Sequence, residues 1–118
     1  MNARLRLGDH PVIAAVRELD HIHDAVASPV RVVFLMTGDA LTLGRAIDEL
    51  HAADKQVVVH IDLVKGVSHD KAGVQFIARA GRPDAIVSTK LHVLQAARKE
   101  GLAAVLHLFV IDTQAYQT

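Results

Sequence analysis

A histidine and an aspartate stand two residues apart in the run Gln56-Val57-Val58-Val59-His60-Ile61-Asp62. That spacing is the best local chemical signal in the chain. In an extended strand side chains alternate faces with a period of two. Val57, Val59 and Ile61 therefore share one face, while Val58, His60 and Asp62 share the other. If the all-apolar face meets helices, His60 and Asp62 point the opposite way, with Asp62 nearer the C-terminal end. An imidazole and a carboxylate so placed can hydrogen-bond a polyol, hold a general base or pair with each other. A buried pair that only satisfies itself is the structural alternative.

Three other segments finish in polar residues: Thr37-Gly38-Asp39, Ser88-Thr89-Lys90 and Asp112-Thr113. Helix capping and turn chemistry account for Asp39, Ser88 and Thr113 taken singly. The recurrence of polar ends is what points to a site. Lys65 and Lys90 are candidates to attract an anion such as a phosphate ester, although isolated lysines are commonly solvated surface charges. Arg17 closes an apolar run and is either a ligand-facing cation or the start of a helix. His21 and His23, two apart on a helix, face different ways and make poor joint ligands. The histidines show no H-x-x-x-H or similar metal spacing, and no G-x-G-x-x-G, Walker loop or G-x-S-x-G occurs. No cofactor is expected.

Short β-branched runs supply the elements that must position these residues. Strands are expected over residues 12–16, 30–36, 56–62, 85–88 and 103–111. Helical stripes lie between them: Leu19, Ile22 and Val26; then Leu43, Ala46, Ile47 and Leu50; then Val74, Ile77 and Ala78; then Leu91, Leu94 and Ala97. Ser68 is the expected N-cap of the third helix and Gly81 its C-cap, and Gly101 closes the fourth. Strict alternation of strand and helix calls for parallel strands joined by right-handed crossovers. The strands recur about every 23 residues, a compact version of the unit of a (β/α)8 barrel, whose functional residues lie at the C-terminal strand ends. The expected fold is thus α/β: a partial parallel β/α (TIM-like) barrel of four βα units plus a fifth strand, in one domain over residues 1–118. A doubly wound open sheet with helices on both faces is the alternative. In the half-barrel, long apolar edges favour pairing with a second copy, so a homo-oligomer is expected.

The bulk numbers agree with a soluble α/β protein. Hydrophobic residues make up 51% of the 118, enough for a core, but aromatics only 3%, so that core is aliphatic. Thirteen Lys and Arg balance thirteen Asp and Glu. No global field draws the chain to nucleic acid or to an anionic membrane, which leaves room for a local basic patch. With no cysteine, disulfides and thiolate metal sites are excluded. The apolar run at 12–16 is too short for a signal-peptide core, and the run at 102–111 is of strand length rather than membrane length. A cytoplasmic protein without membrane association is expected.

Four stretches, Pro11-Val12-Ile13-Ala14-Ala15-Val16-Arg17, Val59-His60-Ile61-Asp62-Leu63-Val64-Lys65-Gly66, Ala85-Ile86-Val87-Ser88-Thr89-Lys90 and Phe109-Val110-Ile111-Asp112-Thr113, run in order along nearly the whole chain. Together they resemble the glycerol-3-phosphate-responsive antiterminators, regulators of glycerol uptake operons. The run from His60 to Gly66, followed by Ser68 to Asp70, is the most specific part. The resemblance implies a small β/α barrel that is not an enzyme, binds glycerol-3-phosphate and acts on leader messenger RNA to prevent premature termination. Carried over by motif, His60, Asp62, Lys65, Ser88, Thr89 and Asp112 line the ligand mouth, with Arg17 and Lys90 as the added cations. Family members also carry later units with a Gly-Gly phosphate cradle, Gln-Arg where this chain has Leu106-His107, and Arg where it has Lys90. Lysine lacks the bidentate fork of arginine. Glycerol-3-phosphate is therefore expected to bind this chain weakly or not at all, compared with a full-length relative. A barrel enzyme acting on a small sugar-phosphate, with His60 or Asp62 as acid or base, is the rival reading, and an oligomerising half-barrel without ligand binding is another.

Overall fold

The structure, a computed structural model, describes residues 13–107. Nine principal elements alternate without exception: β1 Ile13–Val16, α1 Ile22–Ala27, β2 Val32–Leu35, α2 Leu43–Ala52, β3 Gln56–His60, α3 Lys71–Phe76, β4 Ala85–Ser88, α4 Leu91–Lys99 and β5 Ala103–Leu106. All five strands are parallel, and their order in the sheet is their order in the chain. Register carries the alternation of each strand across the sheet, so Phe34 lies beside Val58 and Leu35 beside Val59.

The two faces of the sheet are covered differently. Val33, Leu35, Val57, Val59 and Ile86 join a core with Ile22 and Ala25 of α1, Leu43, Ile47 and Leu50 of α2, Val74 and Ile77 of the third helical segment, and Val93 and Ala97 of α4. All four helices therefore pack on one side. The other face has its own cluster of Val32, Val58, Ala85 and Val87, flanked by Phe34, Ala103 and Val105, with no helical residue in it. Sequential strand order with helices on a single face is barrel winding. A doubly wound sheet reverses its order at a switch point and places helices on both faces, so that alternative is set aside. Burial of each Val, Leu or Ile in the helix-side core contributes about 1.5–3 kcal/mol.

Several boundaries differ from expectation for local reasons. The third strand ends at His60, and Ile61–Leu63 forms a tight 3-10 turn, so Asp62 stands on that turn rather than on the strand. Leu19 opens a 3-10 turn that leads into α1. The N-cap of α3 is Asp70, which accepts from the Gly73 N–H, while the Ser68 hydroxyl donates to Asp70 at 2.7 Å. Ser68 braces the cap without being it. After Phe76 the helix widens into a π turn, Ile77–Gly81, and the left-handed residue that ends it is Arg82, not Gly81. Gly81 serves a different need, because a Cβ there would come within 2.7 Å of Ile47 Cδ1. Residue 12 and residues 108–111 of the expected first and fifth strands lie outside the described residues.

Polar residues seal the N-terminal end of the sheet. Lys55 is buried, and its ammonium donates to the Ser28 and Val30 carbonyls, both at 2.6 Å. Asp84 accepts from the Val57 N–H at 2.8 Å and pairs with His51 Nε2 at 2.9 Å. These contacts fasten β3 and β4 to the loops around them and leave the opposite end free for chemistry.

Candidate ligand mouth at the C-terminal strand ends

The turn after β3 and the loop after β4 meet at the C-terminal end of the sheet. Asp62 is the node between them. Its Oδ1 accepts from Ser88 Oγ at 2.8 Å, and its Oδ2 accepts from the Thr89 N–H at 2.9 Å and Thr89 Oγ1 at 2.8 Å. The Lys90 ammonium stands 3.6 Å from Oδ1. Burial alone would raise this carboxyl, but the Thr89 and Ser88 hydrogen bonds and the Lys90 charge outweigh it and hold the group at about 2. A carboxylate so well supplied with donors is a poor proton acceptor, which weighs against a general-base role. Ser88 is fully buried and also accepts from the Lys90 N–H at 3.0 Å, so it shapes the loop that presents Lys90.

Lys90 extends toward the loop before α3, where its ammonium lies 3.4 Å from His69 Nδ1. His92 Nε2 meets the His69 carbonyl at 3.1 Å. This partly exposed lysine therefore has a carboxylate on one side and an imidazole on the other, which fix the position of its ammonium.

His60 lies on the face opposite Val59, as the period of two requires, and borders a pocket of about 180 Å³ lined by Phe34, Met36, Val87, Val105, Leu106 and His107. His60 Nε2 is 2.8 Å from His107 Nδ1, and the rings meet edge to face. Burial lowers the His60 pKa, which keeps the imidazole neutral, while the negative charge of Asp62 partly offsets that effect. His60 Nδ1 is buried without a hydrogen-bond partner.

The remaining expected residues are spread more widely. Lys65 is exposed in a bridge that extends the β2–β3 pairing beyond the strands: its N–H donates to the Gly38 carbonyl at 3.0 Å, and its carbonyl accepts from the Ala40 N–H at 2.9 Å. Asp39, across that bridge, accepts from the N–H groups of Leu41 and Thr42 and from the Thr42 hydroxyl. The Thr42 bonds lower its pKa, with the charge of Lys65 assisting. Asp39 is thus the turn residue that capping chemistry predicts. Arg17 is exposed beyond β1 and is not joined to the Asp62 cluster among the described residues. Asp112 lies outside the described residues. The structure brings Asp62, Ser88, Thr89 and Lys90 together and adds His69, which sequence reasoning missed. It sets His107, which stands where the resemblance expects Arg, beside His60. Among the described residues, no group of three or more His, Asp or Glu could hold a metal ion, and no helix is long and apolar enough to cross a membrane.

Residues 12–118 match the model of the family described as glycerol-3-phosphate responsive antiterminator. The chain is 31% identical over 110 residues to the uncharacterized protein YgcP of Escherichia coli K12, covering 93% of this chain and 58% of that protein. It superimposes on the crystal structure of the glycerol uptake operon antiterminator regulatory protein of Listeria monocytogenes with a TM-score of 0.87 at 24% identity, over 97% of this chain and 62% of that one. A glycerol uptake operon antiterminator-related protein of Thermotoga maritima gives a TM-score of 0.74 at 32% identity, over 89% of this chain and 59% of that one. The chain thus spans about three fifths of the length of the relatives it matches. The family is one of regulators rather than enzymes. With the helices on one face and the polar cluster at the C-terminal strand ends, the match over nearly the whole sequence makes this chain a member of the glycerol-3-phosphate-responsive antiterminator family.

Proposed function

We propose that the chain acts as a cytoplasmic transcription antitermination regulator of glycerol uptake genes, responding to glycerol-3-phosphate and acting on leader messenger RNA. The observation that carries this reading is the Lys90 ammonium, held between Asp62 at 3.6 Å and His69 at 3.4 Å at the C-terminal end of the sheet, where barrels place their ligands. The lysine attracts the phosphate. The pocket of about 180 Å³ beside His60 has an apolar wall of Phe34, Val87 and Val105 against which a short carbon chain fits. An enzymatic reading is less well supported, because Asp62 is already committed to three donors. Isothermal titration tests the proposal. Glycerol-3-phosphate should give weak, saturable heat, glycerol none, and the Lys90→Ala variant none. A flat titration of the unaltered chain, or binding that survives Lys90→Ala, overturns the assignment of this mouth.

A further inference from the structure

The balanced charge of the chain hides a division between its two flanks. From Glu18 to Asp54, which spans α1 and α2, there are seven acidic residues against two cations. From Asp70 to Glu100, which spans α3 and α4, there are six cations against three acids. On the cationic side, Lys90 belongs to the mouth beside Asp62 and Arg79 is shared with Glu100, which leaves Lys71, Arg82, Arg98 and Lys99. Asp84 is buried and bonded to His51 and the Val57 N–H. Asp70 caps α3. Glu100 is paired with Arg79 at 3.6 Å. Because the strands follow chain order, this division of the sequence becomes a division in space, with an acidic α1–α2 flank and a basic α3–α4 flank.

The basic flank also carries an unusual aromatic. Phe76 is 42% exposed on the outer side of α3. It lines an open groove of about 440 Å³ with Ala72, Gln75, Arg79 and Ala80. Lys71, Gln75 and Arg79 follow one another at four-residue spacing along the helix, and Gln75 and Arg79 line the groove with the ring. The Arg79–Glu100 pair places the end of this line beside the last turn of α4, where Arg98 and Lys99 are exposed. A partly exposed ring with small alanines beside it, Arg79 in the same groove and exposed cations on the adjoining turns suits single-stranded nucleic acid. Bases stack on the aromatic, and phosphates meet the cations.

We infer that the outer α3–α4 flank, centred on Phe76 and bounded by Lys71, Arg79, Arg98 and Lys99, is the surface that holds single-stranded RNA. This inference deepens the regulatory reading above and rests on it, and it separates the RNA surface from the ligand mouth. Fluorescence anisotropy of the chain with a labelled 24-nucleotide single-stranded RNA of mixed sequence, over a series of salt concentrations, tests it. Replacing Lys71, Arg79, Arg98 and Lys99 together by Gln should weaken binding about tenfold or more at low salt. It should also flatten the salt dependence by about 0.7 in log–log slope for each phosphate that is no longer neutralised. Phe76→Ala should weaken binding about fivefold or more without altering that slope. Replacing Arg31 and Arg45 on the acidic flank by Gln should change nothing. All these side chains are exposed, and far-UV circular dichroism confirms that each variant is folded. If the unaltered chain binds RNA and the flank variants bind equally well, the location is overturned while the regulatory reading stands. If the unaltered chain ignores the RNA but binds vesicles containing phosphatidylserine, the flank is a membrane surface and the inference fails. Loss of RNA binding together with intact glycerol-3-phosphate titration removes the RNA partner alone.

Discussion

Asp62 accepts three hydrogen bonds and faces one ammonium, and those four contacts define what it can do. They fix its position and keep it ionised, and a carboxylate so supplied with donors is a poor base. Because its folded pKa of about 2 lies below the ordinary 3.8, the ionised form is favoured by folding. That contribution is complete above about pH 4 and is lost as pH falls toward 2, and the difference corresponds to about 2 kcal/mol. Asp62→Asn should destabilise the chain by roughly that amount at neutral pH and flatten the acid limb of its stability curve. Urea titrations at pH 7, 4 and 3 check this, and an unchanged acid limb in the variant would contradict it. The facing of His60 was legible from strand periodicity. Resemblance placed Asp62, Ser88 and Thr89 in one mouth, but not the bonds between them, because Ser88 and Thr89 come from 26 and 27 residues further along and the β3–β4 pairing brings them near.

At the scale of elements, apolar stripes and β-branched runs were sufficient to locate every strand and helix, while their ends were decided by contacts that a linear reading does not contain. The α3 region shows why. Ser68, Asp70 and Gly73 form one interlocked cap, and a Cβ on Gly73 would fall 1.7 Å from the Ser68 carbonyl oxygen. Backbone, not a flexible side chain, blocks that space. Gly73→Ala should therefore cost about 2 kcal/mol or more, although alanine favours helix over glycine elsewhere. Thermal melts of the variant should show a clear fall in midpoint, and a rise of the kind expected at an open helical site would refute the cap geometry. Lys55 and Asp84 were equally invisible beforehand. A lysine in sequence reads as surface, and only the carbonyls of Ser28 and Val30 converging on its ammonium allow it to be buried.

For the molecule as a whole, the exposed apolar residues matter as much as the buried ones. Ile13 on β1 and Leu106 on β5 are 39% and 42% exposed, and each stands on an edge strand of the described sheet. Neither edge strand carries a charge or proline within its bounds to discourage pairing. The chain is expected to self-associate through these edges, with two copies meeting in a closed, symmetric arrangement. Sedimentation equilibrium at micromolar concentration should return a mass above that of one chain, and a stable monomer would sink the idea.

Sequential strand order has a further implication. Among the described residues each strand is bonded only to its neighbours in the chain, so no pairing there spans more than one βα unit. The sheet has no topological centre that must be complete before the rest makes sense. Until a barrel closes on itself, a unit added to the row extends it without altering an existing register. This modularity explains how a chain covering 62% of a longer relative can superimpose on it with a TM-score of 0.87. The shared units keep their internal geometry whatever adjoins them, and divergence between relatives can accumulate at the two ends of the row without disturbing its interior.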